Sequence, residues 1–362
     1  MKIYLRHALL VALLLLCGCV KGPAEKAGSE AVIHIKASVA TMTEVTKGPK
    51  WGEGWDVTDD PYGIFVCNHN EYVQRGEYVP HKANSWNIKA ALEDFDNPTW
   101  HYYYIGSLYD GSLSSSPADN LTITEQEHES TADLYAYSPY TKAAYASGPT
   151  AIPFSVLPDT YGSTHDLMYA VENLTNSNSN LDPTSGDELD ASFHFRHAYS
   201  LLRFTFKLVN GISRYSLGGV TVRVNDPDED GTTTAKIYTS GTFNAISGEF
   251  NDDLVEVPSR WVAMSEQIYS TIREDTPEAG YMMLVPTQVE DDELSFSFRI
   301  SGQTLPPFYL KKEQVRHGLT STYGFLPGYM YTFNFTLDNY VYLDGIDIST
   351  GWTTNVLGSE EI

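Results

Sequence analysis

The sequence predicts an all-β protein built as a sandwich of pleated sheets. Three observations carry this. Apolar and polar residues alternate with a period of two in one segment after another. Long stretches of helical periodicity are scarce. Clusters of Gly, Ser, Asn and Asp separate the alternating runs, as turns between short strands require.

The elements follow in chain order. Ile33, Ile35 and Ala37 alternate with His34 and Lys36, and residues 63–67 (GIFVC) form a short apolar run. Phe193 and Phe195 alternate with His194 and Arg196. Leu202, Phe204, Phe206 and Leu208 continue the alternation, but the parity flips between His197 and Leu202. A one-residue slip turns side chains to the other face, so a bulge or break is expected near Tyr199. Val220, Val222 and Val224 follow, then Leu294, Phe296, Phe298 and Ile300, then Tyr331, Phe333, Phe335 and Leu337. Residues 84–95 and 259–272 have enough helical spacing for a turn or two of helix each. Residues 173–186 are the longest polar stretch of the interior, read as a large surface loop or the approach to a boundary. The division is placed at Asp190, giving an N-terminal domain over 31–190 and a C-terminal domain over 191–362.

Residues 1–18 read as an export signal. Lys2 and Arg6 give a positive start, and 8–16 is an unbroken apolar run. The run is shorter than the ~20 residues of a membrane-spanning helix and suits a signal peptide. Leu16-Cys17-Gly18-Cys19 follows and resembles a bacterial lipobox. That resemblance implies thioether lipidation of Cys19, cleavage before it and acylation of the new N-terminus. Several buried acyl chains anchor stably, at ~0.8 kcal/mol per methylene. Residues 19–30 are small, polar and Pro/Gly-bearing, so they read as a flexible tether holding the body off the membrane.

Loss of 18 residues from 362 leaves 344, long enough for two domains. The formal charge of −24 becomes −26 once Lys2 and Arg6 are gone. Such a chain repels nucleic acid and anionic headgroups. Cys17 leaves with the signal and Cys19 is acylated, so Cys67 alone remains and no intramolecular disulfide is expected. The 25 tyrosines suit pleated, half-buried surfaces.

Asp226-Pro227-Asp228-Glu229-Asp230-Gly231 matches the opening of a calcium loop. The closing glutamate should fall at position twelve, which is Ile237. The segment therefore reads as an acidic hairpin loop, with a weak calcium site on Asp226, Asp228 and Asp230 as the alternative. His194 and His197 are spaced to opposite faces of a strand, which is poor for chelation. No G-x-S-x-G, P-loop, H-E-x-x-H or C-x-x-C occurs, so neither enzyme activity nor a cofactor is expected. Residues 100–104 (WHYYY) are read as a strand whose tyrosines pack into the sandwich. The alternative is a sugar-stacking platform of Trp100, Tyr102 and Tyr104 on a monomeric surface glycan-binding lipoprotein.

Several segments in series resemble the fimbrillin family, pilus subunits and related surface lipoproteins of anaerobic Gram-negative bacteria. They are Thr46-Lys47, Trp55 and Asp60-x-x-Gly63-Ile64-Phe65; Leu134-Tyr135-Ala136-Tyr137-Ser138-Pro139-Tyr140; Asp166-Leu167-Met168-Tyr169-Ala170; Phe195-Arg196-His197 with Leu201; and Gly328-Tyr329-x-Tyr331-x-Phe333-x-Phe335 with Gly351-Trp352. The resemblance covers nearly the whole chain in the right order. It implies two tandem transthyretin-like Greek-key β-sandwich domains, at the cell outer membrane and in a fimbrium. It also implies assembly by removal of the first strand and donation of a strand from a neighbouring subunit. Ile33, Ile35 and Ala37 would form the inward face of the removable strand. Lys47 would carry the cleaved bond, in place of the arginine that such processing often follows. The partners implied are other fimbrial subunits, outer-membrane lipid through Cys19, and a host protein or glycan. Residues 340–348 are either a donor segment or the last strand of the second domain.

Overall fold

The computed structural model describes residues 30–39, 61–69, 84–93, 99–119, 121–124, 131–156, 166–170, 189–208, 214–257, 261–263, 270–273, 278–300, 302–318, 322–337 and 341–350. The signal, Cys19, the tether before Glu30, Lys47, the 173–186 polar stretch and residues 351–362 lie outside them. The protein is all-β, and among the described residues only Ala144–Ser147 and Lys312–Val315 form helical turns.

Every alternating run noted above is a strand or part of one. The described residues of the two segments with helical spacing form strands and turns, not helix. Ile88–Glu93 is a strand between Tyr62–His69 and Thr99–Tyr103, with Ile88 and Ala90 buried. Trp261–Ala263 and Ser270–Arg273 both pair with Arg214–Val224. Their Ala- and Leu-rich or mixed composition favoured helix locally, but pairing with flanking strands overrides so weak a preference.

The first sheet has eight strands, in the order Thr99–Tyr103, Ile88–Glu93, Tyr62–His69, Thr131–Ser138, Met168–Ala170, Leu189–His197, Glu30–Val39, Leu121–Thr124. Only Glu30–Val39 and Leu189–His197 run parallel. The sheet curls. Tyr62 and Phe195 lie three strand spacings apart, about 14 Å on a flat sheet, yet their ring centroids are 5.5 Å apart. Ala118 closes the curl from the far side, exchanging two backbone hydrogen bonds of 2.9 Å with Tyr102 on the opposite edge strand. Inside sits a core that includes Tyr62, Leu121, Phe193 and Phe195, while Phe65 and Tyr137 pack together on the sheet's other face.

The chain leaves this sheet at Ala198–Tyr199, where the parity flip placed a break. Asp190 lies inside the strand Leu189–His197. From Ser200–Leu208 onward the strand belongs to a second sheet, ordered Glu278–Leu284, Ser200–Leu208, Tyr329–Leu337, Val341–Thr350. Residues 341–350 are thus a strand at that sheet's edge, paired with Tyr329–Leu337. A third sheet, centred on Arg214–Val224 and Leu294–Ile300, faces the second. Six phenylalanines fill the gap. Phe204 stacks on Phe333 and Phe206 on Phe335 along the parallel ladder. From the facing sheet Phe298 meets them edgewise and Phe296 at a tilt, with Phe298 and Phe335 centred 4.7 Å apart. Edgewise and offset rings are the favoured aromatic geometries, so the Phe-x-Phe runs interlock.

One later segment returns to the first core. Ala235 and Ile237 are buried in the second core, whereas Phe243 and Ala245 are buried in the first. Between them Tyr238–Asn244 pairs with Ile152–Ser155. Glu293 fixes the start of this strap, its carboxylate accepting the backbone N–H groups of Thr234 (2.6 Å), Ala235 (2.8 Å) and Glu290 (3.1 Å).

Candidate strand-exchange site

The segment proposed as removable forms Glu30–Val39, a ten-residue strand. It occupies the seventh place of the eight-stranded sheet. Ile33, Ile35 and Ala37 are in register with Leu189, Ala191 and Phe193, and Val39 with Phe195. On that neighbour Ala191, Phe193 and Phe195 are fully buried. Phe193 and Phe195 pack against Tyr62, which in turn meets Trp100 edgewise at 5.0 Å. On the other flank Glu30, Ala31, Val32 and Ile33 pair antiparallel with Thr124, Ile123, Thr122 and Leu121. The sequence reading did not single out this four-residue edge strand. Its alternating Leu-Thr-Ile-Thr was the available signal, but four residues are too short to separate from loop by pattern.

The family-like segments meet each other in space. Gly63 and Tyr137 are paired across adjacent strands, and a Cβ at Gly63 would lie 2.1 Å from the Tyr137 ring. Asp166 and His197 form a buried pair at 2.5 Å. Burial raises the Asp166 pKa above the usual carboxylate value, and the neighbouring His197 partly offsets this. Gly328, with φ at +75°, donates its N–H to Tyr199 O at 2.8 Å, and the Ser200 hydroxyl donates to Leu326 O at 2.8 Å. These last two bonds fasten the hand-over from the first sheet to the second.

Of residues 100–104, the rings of Trp100, Tyr102 and Tyr104 pack against the first core, while the Tyr103 ring lies under Lys89 Nζ at 5.3 Å. Tyr102 is buried, and burial pushes its phenol up to about 12. Trp100 and Tyr104 are partly buried against the first core. A sugar-stacking platform needs open ring faces, so the arrangement does not provide one at Tyr102. His194 is exposed and His197 buried, on opposite faces as their spacing required.

The acidic segment Asp226–Asp230 joins strands of different sheets and is not a hairpin loop. A hairpin needs its flanking strands to pair, and Arg214–Val224 instead pairs with Leu294–Ile300. Asp226 Oδ2 accepts the Gly231 N–H at 2.7 Å, and Asp230 Oδ1 accepts the Thr232 N–H at 2.7 Å and its hydroxyl at 2.6 Å. These carboxylates stabilise the loop's own backbone. Asp228 is exposed. Among the described residues no group of three or more His, Cys, Asp or Glu side chains is placed to hold a metal ion.

What this arrangement can do is bind a strand: it offers ladder groups on two neighbours and an apolar floor along one of them. No curated protein matches the chain. Its fold is similar to that of a candidate cell adhesion protein from Bacteroides ovatus, at 15% identity and a TM-score of 0.52, covering 91% of this chain and 99% of that one. It is likewise similar to a fimbrial protein from Bacteroides vulgatus, at 12% identity and a TM-score of 0.50, covering 90% of this chain and 100% of that one. A family model described as fimbrillin-like matches residues 57–355, and the chain belongs to that family.

Proposed function

We propose that the chain is a structural subunit or adhesin of a cell-surface fimbria. It is exported as a lipoprotein through Cys19 and reaches the outer membrane. It then assembles by cleavage after Lys47, removal of the first strand and entry of a strand from a neighbouring subunit. In this reading the two cores belong to two tandem transthyretin-like sandwich domains, joined where the chain changes sheets at Ala198–Tyr199. One observation supports it above the rest. The N-terminal strand Glu30–Val39 is an internal member of the first sheet, held between Leu189–His197 and Leu121–Thr124. Its loss would expose ladder groups and the apolar positions of Ala191, Phe193 and Phe195, which water solvates poorly and another strand can cover. Family membership supports the fimbrial role and a structural, non-enzymatic one.

The test is limited trypsin digestion of the protein lacking its signal, followed by N-terminal sequencing and native gels. A new N-terminus at Gly48, followed by slow growth of a ladder of oligomers, is the expected result. A monomer that stays uncut at Lys47 refutes processing by strand removal.

A further inference from the structure

The first strand has a different neighbour on each flank, and the two neighbours hardly overlap. Ile33 to Val39 pair in parallel with Leu189 to Phe195, and Glu30 to Ile33 pair antiparallel with Leu121 to Thr124. Only Ile33 has both. Leu121–Thr124 ends the sheet, and among the described residues its ladder is with the first strand alone. Its base is nevertheless fixed. Leu121 is fully buried in the first core, and three residues earlier Ala118 is bonded in both directions to Tyr102.

We propose that Leu121–Thr124 is a clasp for the incoming strand, a short arm fixed at its base and free to close only when a strand fills the place beside it. This deepens the strand-exchange reading and rests on it. The partner is an extended, alternately apolar segment of a neighbouring subunit, about ten residues long like the strand it replaces. In the first strand's place it would run parallel to Leu189–His197 and antiparallel to the clasp, as the resident strand does.

The pairing makes the coupling one-sided. Losing the first strand frees the clasp, whereas losing the clasp leaves residues 33–39 on their long parallel ladder. Hydrogen exchange on the full chain without its signal tests this, because proline removes a ladder donor. In Ile35→Pro, a substitution outside the clasp's own register, amides 122–124 should exchange roughly 100-fold faster. In Thr122→Pro, amides 34–39 should keep their protection. Amides of Phe296 and Phe298 in the second core report whether the fold persists; if Ile35→Pro loses them, Ala37→Pro gives the same comparison. A synthetic peptide of residues 30–39 should then bind the Ile35→Pro protein and restore protection at 122–124. Unchanged protection at 122–124 in both Ile35→Pro and Ala37→Pro, or bound peptide without renewed protection there, overturns the clasp while leaving strand exchange intact. Opened clasp amides with no peptide binding overturn strand exchange itself, and the clasp's role as a partner site falls with it.

Discussion

Replacing Gly63 by alanine places a methyl group where no space exists. The added Cβ would lie 2.1 Å from Tyr137 Cε1, 2.5 Å from Cζ and 2.7 Å from the hydroxyl oxygen, against about 3.5–4.0 Å for carbon atoms in contact. The Tyr137 ring has nowhere to go. It is fully buried, stacked on Phe65 at 5.8 Å, and its hydroxyl donates to Asn87 Oδ1 at 2.7 Å while accepting the Thr141 N–H at 3.2 Å. Asn87 is itself fixed, with φ at +58° and its Nδ2 donating to Thr141 O at 3.0 Å. Making room therefore strains the sheet or strips the hydroxyl of its partners. Overpacking and two weakened buried hydrogen bonds together cost about 3–5 kcal/mol. Urea unfolding measures this directly, and a double-mutant cycle isolates it. Tyr137→Leu removes all three clashing atoms. In that background Gly63→Ala should cost about zero, or gain slightly, since alanine loses less entropy than glycine in a strand. A Gly63→Ala cost below about 1 kcal/mol, or an equal cost in both backgrounds, would refute the reasoning.

Two further outcomes follow from burial. A carboxyl whose native pKa is raised contributes most to stability when protonated, and that contribution falls as pH climbs from the unfolded value toward the native one. Because burial raises Asp166 above its ordinary 3.8, wild type should lose stability relative to Asp166→Asn as pH rises above about 4; urea midpoints that stay parallel as pH rises would contradict the burial argument. Tyr102→Ala should lower unfolding stability by about 3 kcal/mol, because it empties a core position. An unaltered unfolding curve combined with lost binding to soluble polysaccharide would instead restore the glycan-binding reading.

Strands with strict alternation were legible in the sequence because one face of each is buried and the other is not. Leu202 to Leu208 is the clearest case: Leu202, Phe204, Phe206 and Leu208 are buried, whereas Arg203, Thr205 and Lys207 are not. The break near Tyr199 was legible for the same reason, since a change of parity is a change of face. Residues 84–95 were misread because Ile88–Glu93 carries Ala and Leu, whose local preference for helix says nothing of two waiting neighbours. The hairpin reading of Asp226–Asp230 failed similarly, because local turn chemistry does not reveal which sheet the next strand joins. The strap that carries Phe243 back to the first core, and the clasp at Leu121–Thr124, depend on contacts distant in sequence, to which a single-sequence pattern is blind. The short motifs showed that Gly63, Tyr137, Asp166 and His197 mattered, but not that they are two contacting pairs.

Those pairs bear on how a strand could be exchanged at all. Gly63 with Tyr137 fixes Tyr62–His69 to Thr131–Ser138, and Asp166 with His197 fixes the approach to Met168–Ala170 against Leu189–His197. These four strands are consecutive in the sheet and end at the neighbour on which Ile33 to Val39 lie. None of these contacts involves the first strand, so the wall carrying Ala191, Phe193 and Phe195 is held by its own packing and by the Tyr199–Gly328 link to the second core. A partner strand would meet a preformed surface on that side, which keeps the cost of ordering small. On the other flank it must order the three residues beyond the fixed Leu121, Thr122 to Thr124, at about 1–2 kcal/mol of backbone entropy each. A penalty of about 3–6 kcal/mol is small enough for a ten-residue ladder and its apolar face to overcome. A segment matching only the wall would avoid that penalty but forgo the clasp's ladder, so the clasp adds to the joint only where its pairing outweighs its ordering cost.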